Sequence, residues 1–213
     1  MKGLNLRTKM AAYVAVAIFG LLAGSASAQS AGRVRFARKN AAGGVTAGGA
    51  TAVKGPNGGA AGRAGVVATN GQGGVAAAGA SGVRGPNGGT AQHGGYVASN
   101  GQGQGKSGSE GSFHAANGAQ GSRASSTQWN NGNVTHQRGF QASGANGSVQ
   151  SHGSSNYNAA TGTGSATRDT TATGKNGDTY TGSTTVDKTA NGTTVDHTAT
   201  CTNSSGQTIP CKK

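Results

Sequence analysis

Two stretches of this chain, Val53 to Gly73 and Val83 to Gly103, overlie one another at an offset of 30 residues. VKGPNGGAAGRAGVVATNGQG and VRGPNGGTAQHGGYVASNGQG share their turn residues, their valines and their NGQG ending. The matched positions are Gly, Pro, Asn, Val and Ala, with Lys54 and Arg84 exchanged for one another. These residues carry backbone geometry and not acid, base or nucleophilic chemistry. The repeat therefore specifies a rhythm of extended segments and turns.

Turn dipeptides mark that rhythm at Asn57-Gly58, Asn70-Gly71, Asn87-Gly88 and Asn100-Gly101. Asn-Gly pairs predict type I′ hairpin turns, since both residues tolerate positive φ, and Pro56 and Pro86 preset the residue before. Short runs such as Gly65-Val-Val-Ala68 and Gly95-Tyr-Val-Ala98 read as strands between them. Glycine does not fall at every third position, which excludes a collagen helix. The expectation is an all-β, elongated, repetitive array of short strands joined by Asn-Gly turns, either a meander or a β-solenoid-like coil, with substantial disorder as the competing state.

Composition explains why disorder competes. Met1 to Ala28 has the layout of a secretory signal peptide: Lys2, Arg7 and Lys9, an apolar run from Met10 to Leu22, then Ala26-Ser-Ala28 as the cleavage site. Every Leu and Met lies in that segment. From Gln29 onward Leu, Ile, Val and Phe number 16 of 185 residues, about 9%, well under the roughly 20% below which an ordinary core is not expected. Order must come from backbone hydrogen bonding, small-residue packing or assembly. A chain exported this way is expected to be secreted, periplasmic or at the cell surface, with no transmembrane segment once the signal is removed.

The organisation expected is a signal peptide at 1–28, a basic arm at 29–40, Gly/Ala-rich 30-residue repeats at 41–109, a Gly/Ser/Asn/Gln-rich low-complexity region at 110–160 and Thr-rich β repeats at 161–213. In the middle region the repeat decays, leaving either a linker or further strands with polar faces. Cys201 and Cys211, the two cysteines of the chain, flank an Asn/Ser/Gly turn and are expected to form a disulfide in an exported protein.

Between Gln29 and Ser109 stand eight Lys or Arg and no acid. Four of the eight, Arg33, Arg35, Arg38 and Lys39, are the candidate contact for a polyanion such as nucleic acid, lipopolysaccharide or acidic polysaccharide. The competing reading is a solvated basic arm. Trp129, Tyr157 and Tyr180 are too scattered for a base-stacking platform.

In the Thr-rich region Asp169, Asp178, Asp187 and Asp196 recur every nine residues. With Thr173-Gly174, Gly182-Ser183 and Asn191-Gly192 as two-residue turns, Asp187 would face Asp196, Thr189 would face Thr194 and Thr185 would face Thr198, with Val186 and Val195 on the other side. The spacing resembles the calcium-binding nonapeptide repeats of secreted toxins and proteases, without their Gly-Gly-x-Gly-x-Asp pattern. Neutralisation by Arg168, Lys175, Lys188 and His197 is the expected alternative to a bound cation. The threonine rows resemble the flat faces of ice-binding β-solenoids, which implies an ice- or glycan-binding alternative.

No catalytic motif stands in a supporting context. Gly103-Gln-Gly105-Lys-Ser-Gly108 satisfies GxGxxG by chance in a glycine-rich chain, and the five histidines show no metal-ligand spacing. The sequence therefore predicts a non-enzymatic, repetitive structural or surface-associated protein of a bacterial envelope or extracellular matrix. Its expected partners are itself or acidic polymers of the cell surface, with no cofactor, metal or small-molecule substrate.

Overall fold

The computed structural model describes residues 30–211; the expected signal peptide at 1–28, its expected cleavage site and Gln29 lie outside them. The described residues form thirteen antiparallel strands and no helix. They fall into two compact units, residues up to Ala116 and residues from Asn117 onward.

The first unit is a meander of β1 (Ser30–Lys39), β2 (Val45–Lys54), β3 (Ala60–Thr69), β4 (Val75–Arg84), β5 (Thr90–Ser99) and β6 (Gln104–His114), each hydrogen-bonded to the next. One 30-residue repeat is thus one pair of adjacent strands with its turns. The second unit runs in the same order through β7 (Gln120–Asn130), β8 (Asn133–Gly144), β9 (Gly147–Asn158), β10 (Thr163–Gly174), β11 (Thr179–Thr189), β12 (Gly192–Thr202) and the two-residue β13 (Thr208–Ile209). The polar region 110–160 is built of strands, and of the expected basic arm Ser30–Lys39 is strand β1. Of meander and coil, the chain takes the meander.

The turns carry the period. Glycines with positive φ stand at Gly43, Gly58, Gly73, Gly88, Gly103 and Gly118, fifteen residues apart, and continue at Gly132, Gly147, Gly162, Gly177, Gly192 and Gly206. The structural unit is one strand plus one turn, half the sequence repeat, and it persists where sequence similarity has faded.

The expected type I′ geometry is confined to Asn131-Gly132, where both residues have positive φ. Elsewhere the Asn keeps negative φ, and the reason at Asn57 is Pro56. Proline fixes φ near −65° and starts the turn one residue earlier. Pro56 and Asn57 become its central residues, Gly58 N donates to Gly55 O at 3.3 Å, and the loop closes as Gly55 N donates to Gly59 O at 2.7 Å. Loops at the opposite end of the strands are held by an asparagine side chain. Asn70 Oδ1 accepts from Gln72 N and Gly74 N at 2.9 and 2.8 Å, and Asn100 repeats the arrangement with Gln102 and Gln104.

Within each unit the sheet has little interior. Ala60, at 9% exposure, is the buried hydrophobic residue and Ser151, at 7%, the buried polar one, while Val34 and Val195 are 66% and 63% exposed. Ladder hydrogen bonds, each a net stabilisation of about 1 kcal/mol, carry the order. Aromatic rings supplement them by lying over glycines on the neighbouring strand. Phe36 is opposite Gly48, where a Cβ would stand 2.8 Å from Phe36 Cε1. Tyr157 covers Gly164 in the same way, with 3.2 Å to Cδ2. The predicted disulfide joins Cys201 to Cys211 with Cα atoms 5.3 Å apart, tying the chain end beside β12.

Candidate anion site

Side chains alternate across a strand, so neighbours in the basic run of β1 point to opposite faces. Arg33, Arg35 and Lys39 share one face; Arg38 lies on the other. The four residues singled out in the sequence are therefore not one patch.

Strand pairing assembles a different group. Thr51 on β2 is opposite Arg33, and Arg63 on β3 is opposite Thr51, so Arg33, Thr51 and Arg63 form a row across three strands. The next row pairs Arg35 with Gly49 and Gly49 with Gly65, and continues through Gly79 and Gly95. A Cβ on Gly49 would stand 2.8 Å from Val34 O and 3.3 Å from Arg35 Cγ. The glycine leaves the floor low and lets the Arg35 stem lie across it. The result is a shallow depression of about 350 Å³ lined by Arg33, Arg35, Gly49, Thr51, Arg63 and Gly65. Glu110 is the acid among residues 30–116, and its register places it on the opposite face, in line with Val34 and Ala50. Three guanidinium groups thus border a concavity whose face carries no carboxylate.

Arg63 is the member that composition-based reading missed. Its signal was present: Arg33, Arg63 and His93 are 30 residues apart, and a two-strand period places them in one row, with Ser81 between Arg63 and His93.

The second unit repeats the row. Arg138, Gly153, Arg168, Thr184 and His197 form one row across β8 to β12. Arg168 Nε donates to Ser151 Oγ at 3.1 Å, Ser151 also bonds Thr170 at 3.0 Å, and Thr184 Oγ1 lies 2.9 Å from His197 Nδ1. Arg123 and Lys188 share this face, the latter 5.6 Å from the Tyr157 ring centroid.

The aspartates take the other face, and two expectations are corrected. Thr189 pairs with Gly192, so the loop between β11 and β12 is Ala190-Asn191, one residue earlier than Asn191-Gly192. The register follows: Asp187 is opposite Thr194, Asp196 opposite Thr185, and Val186 opposite Val195. Asp187 and Asp196 become diagonal neighbours, about 7–8 Å apart, which relieves the repulsion of directly facing charges. Asp169 sits between His152 and Ser183, while Asp178 is in a turn where its Oδ1 accepts from Ser204 N at 3.2 Å. Gly182-Ser183 lies inside β11 and Thr173-Gly174 ends β10, so neither is a two-residue turn.

Arg168, Lys188 and His197 project from the face opposite to Asp169, Asp187 and Asp196 and do not neutralise them, while Lys175 stands in the same loop as Asp178. Among the described residues no group of three or more His, Cys, Asp or Glu is arranged to hold a metal ion. Threonine rows do occur on the acidic face, in a shifted register: Thr171–Thr181–Thr200 and Thr173–Thr179–Thr202–Thr208. Among the described residues no helix is long and apolar enough to cross a membrane. No family of known proteins, no curated protein and no solved structure matches this chain.

Proposed function

We propose that this protein is an exported, non-enzymatic structural component of a bacterial envelope or extracellular matrix, contributing sheet surface and not catalysis. The observation that carries this reading is the fifteen-residue strand-and-turn period. It is held, at fourteen or fifteen residues, from Gly43 to Gly206 while the side chains on the faces change from Ala and Val to Ser, Thr and Gln. A chain built so reproduces a backbone lattice. Catalytic groups, by contrast, need packed neighbours that hold them to within a fraction of an ångström. Here the candidate residues stand on sheet faces that bury few side chains.

Cell fractionation followed by intact-mass measurement tests the proposal. The expected species is a disulfide-bonded chain beginning at Gln29, recovered from the envelope or matrix fraction. A cytosolic chain that retains residues 1–28 would overturn it.

A further inference from the structure

We propose that the arginine rows, Arg33–Thr51–Arg63 beside the Gly49–Gly65 floor and Arg138–Gly153–Arg168 in the second unit, bind a linear acidic polysaccharide. This names the partner of the matrix role proposed above and rests on that reading only for where the two meet.

Two observations made independently point to one ligand. The first is the depression itself, where Arg33, Arg35 and Arg63 surround a glycine floor on a face without carboxylates. The second is recurrence: each unit places arginines two strands apart in one row, with only Gly or Thr between them. Twice the inter-strand spacing puts those arginines about 10 Å apart. A polymer that matches the row must be extended, able to lie on a flat strip of Gly and Thr, and sparsely charged.

Charge density decides between polyanions. A nucleic acid strand in a duplex carries a phosphate about every 3.4 Å, so most phosphates along such a row would find no cation. Binding of single strands also relies on stacking against aromatic rings, and beside Arg33, Thr51 and Arg63 on their face stand Ala31, Val53, Ala61, Arg35, Gly49 and Gly65. In the second unit Phe140 shares the face of Arg138, so there the oligo-dT arm of the test decides. A uronate polymer has one carboxylate per acidic sugar and hydroxyls elsewhere. Arginine takes a carboxylate through two parallel N–H···O bonds, and Thr51 offers a hydroxyl to the sugar between.

The test uses the full mature chain with its disulfide and immobilised alginate as the probe, with dextran as the neutral polymer and oligo-dT as the nucleic acid. Arg33→Gln with Arg63→Gln, and separately Arg138→Gln with Arg168→Gln, should each weaken alginate binding by about tenfold or more, as expected for loss of charge-assisted hydrogen bonds. Arg38→Gln with Arg84→Gln removes the same charge from the opposite face of the first unit and should change binding less than about threefold. Affinity should fall steeply with added salt, and each row variant should show a shallower salt slope. Far-UV circular dichroism of every variant reports whether the sheet is kept. Equal losses from the row pairs and the Arg38 and Arg84 pair would overturn the proposal in favour of diffuse charge. Tighter binding of oligo-dT than of alginate would overturn it in favour of a nucleic acid, and so would an absence of alginate binding by the folded chain. Either failure leaves the location found by fractionation unaffected, so the two proposals fall separately.

Discussion

The two units reach the same strand-and-turn period by different means. In the first, the ten-residue strands β1 to β5 and the eleven-residue β6 alternate with loops of four or five residues in which Pro56, Asn70, Pro86 and Asn100 fix the geometry, and strand starts at Val45, Ala60, Val75 and Thr90 are fifteen residues apart. Beyond β1, Gly and Ala are spread over both of its faces, so the faces specify register weakly and turn chemistry sets it. In the second, strands lengthen to eleven or twelve residues and several loops shrink to two, as at 131–132, 145–146 and 190–191. Side chains take over the role of the loops. One face of β7 to β12 gathers Trp129, Phe140, Tyr157, Tyr180, the valines and the strand Arg and Lys residues, and the other, apart from Ala124 and His152, is made of Ser, Thr, Asn, Gln, Gly and the strand aspartates. Such a division specifies register strongly, because a slip of one residue would exchange the faces. A lattice can thus be pinned from its turns or from its faces.

The difference predicts where each unit breaks. The largest effect is expected at Gly147, whose φ is +126° and where a Cβ would run into Thr173 O. Gly147→Val combines backbone strain with a backbone collision and should cost about 3 kcal/mol or more. A thermal melt followed by amide exchange should show the second unit opening early and β1 to β6 unaffected; loss of both together would contradict independent pinning.

Removing the disulfide comes next. Cys201→Ala with Cys211→Ala opens a loop closed across 10 residues, worth about 2.5–3 kcal/mol by the chain-entropy model. The loss should appear at the β12–β13 end, as faster exchange from Ala199 to Ile209, and not in the first unit.

A smaller effect tests turn pinning. Asn70→Ala removes the acceptor for Gln72 N and Gly74 N and should cost about 1–2 kcal/mol. It should raise exchange in β3 and β4 without moving the second unit. A change below about 0.3 kcal/mol would place the first unit's register elsewhere than in its loops.

The smallest concerns the acids. With Asp187 and Asp196 diagonal and each opposite a threonine, Asp196→Asn should shift stability by less than about 0.5 kcal/mol. The shift should be the same with calcium or with chelator. A destabilisation seen only with calcium would show the carboxylates sharing a cation.

Much of the fold was legible because glycine and proline act locally. Pro56 and Gly58 fix a turn whatever lies beyond, and the 30-residue repeat counts two strands. Register was legible only where the loop was. At Asn191-Gly192 the dipeptide suggested a loop, yet the chain turns at Ala190-Asn191 and Gly192, at φ +147°, pairs with Thr189. That displacement moved every facing pair of β11 and β12. The anion site was half legible for a similar reason. Arg33, Arg35, Arg38 and Lys39 are adjacent in sequence, and strand alternation divides them. Arg63 is thirty residues away, and strand pairing brings it into the row.

The central claim is that one strand-and-turn unit of about fifteen residues runs through both units, including the polar stretch 110–160. Amide hydrogen exchange on the mature protein tests it most directly. Protection is expected through β1 to β12 with minima at the turn glycines from Gly43 to Gly206, the same comb in both units. A protected first unit followed by uniformly fast exchange across residues 110–160 would contradict it.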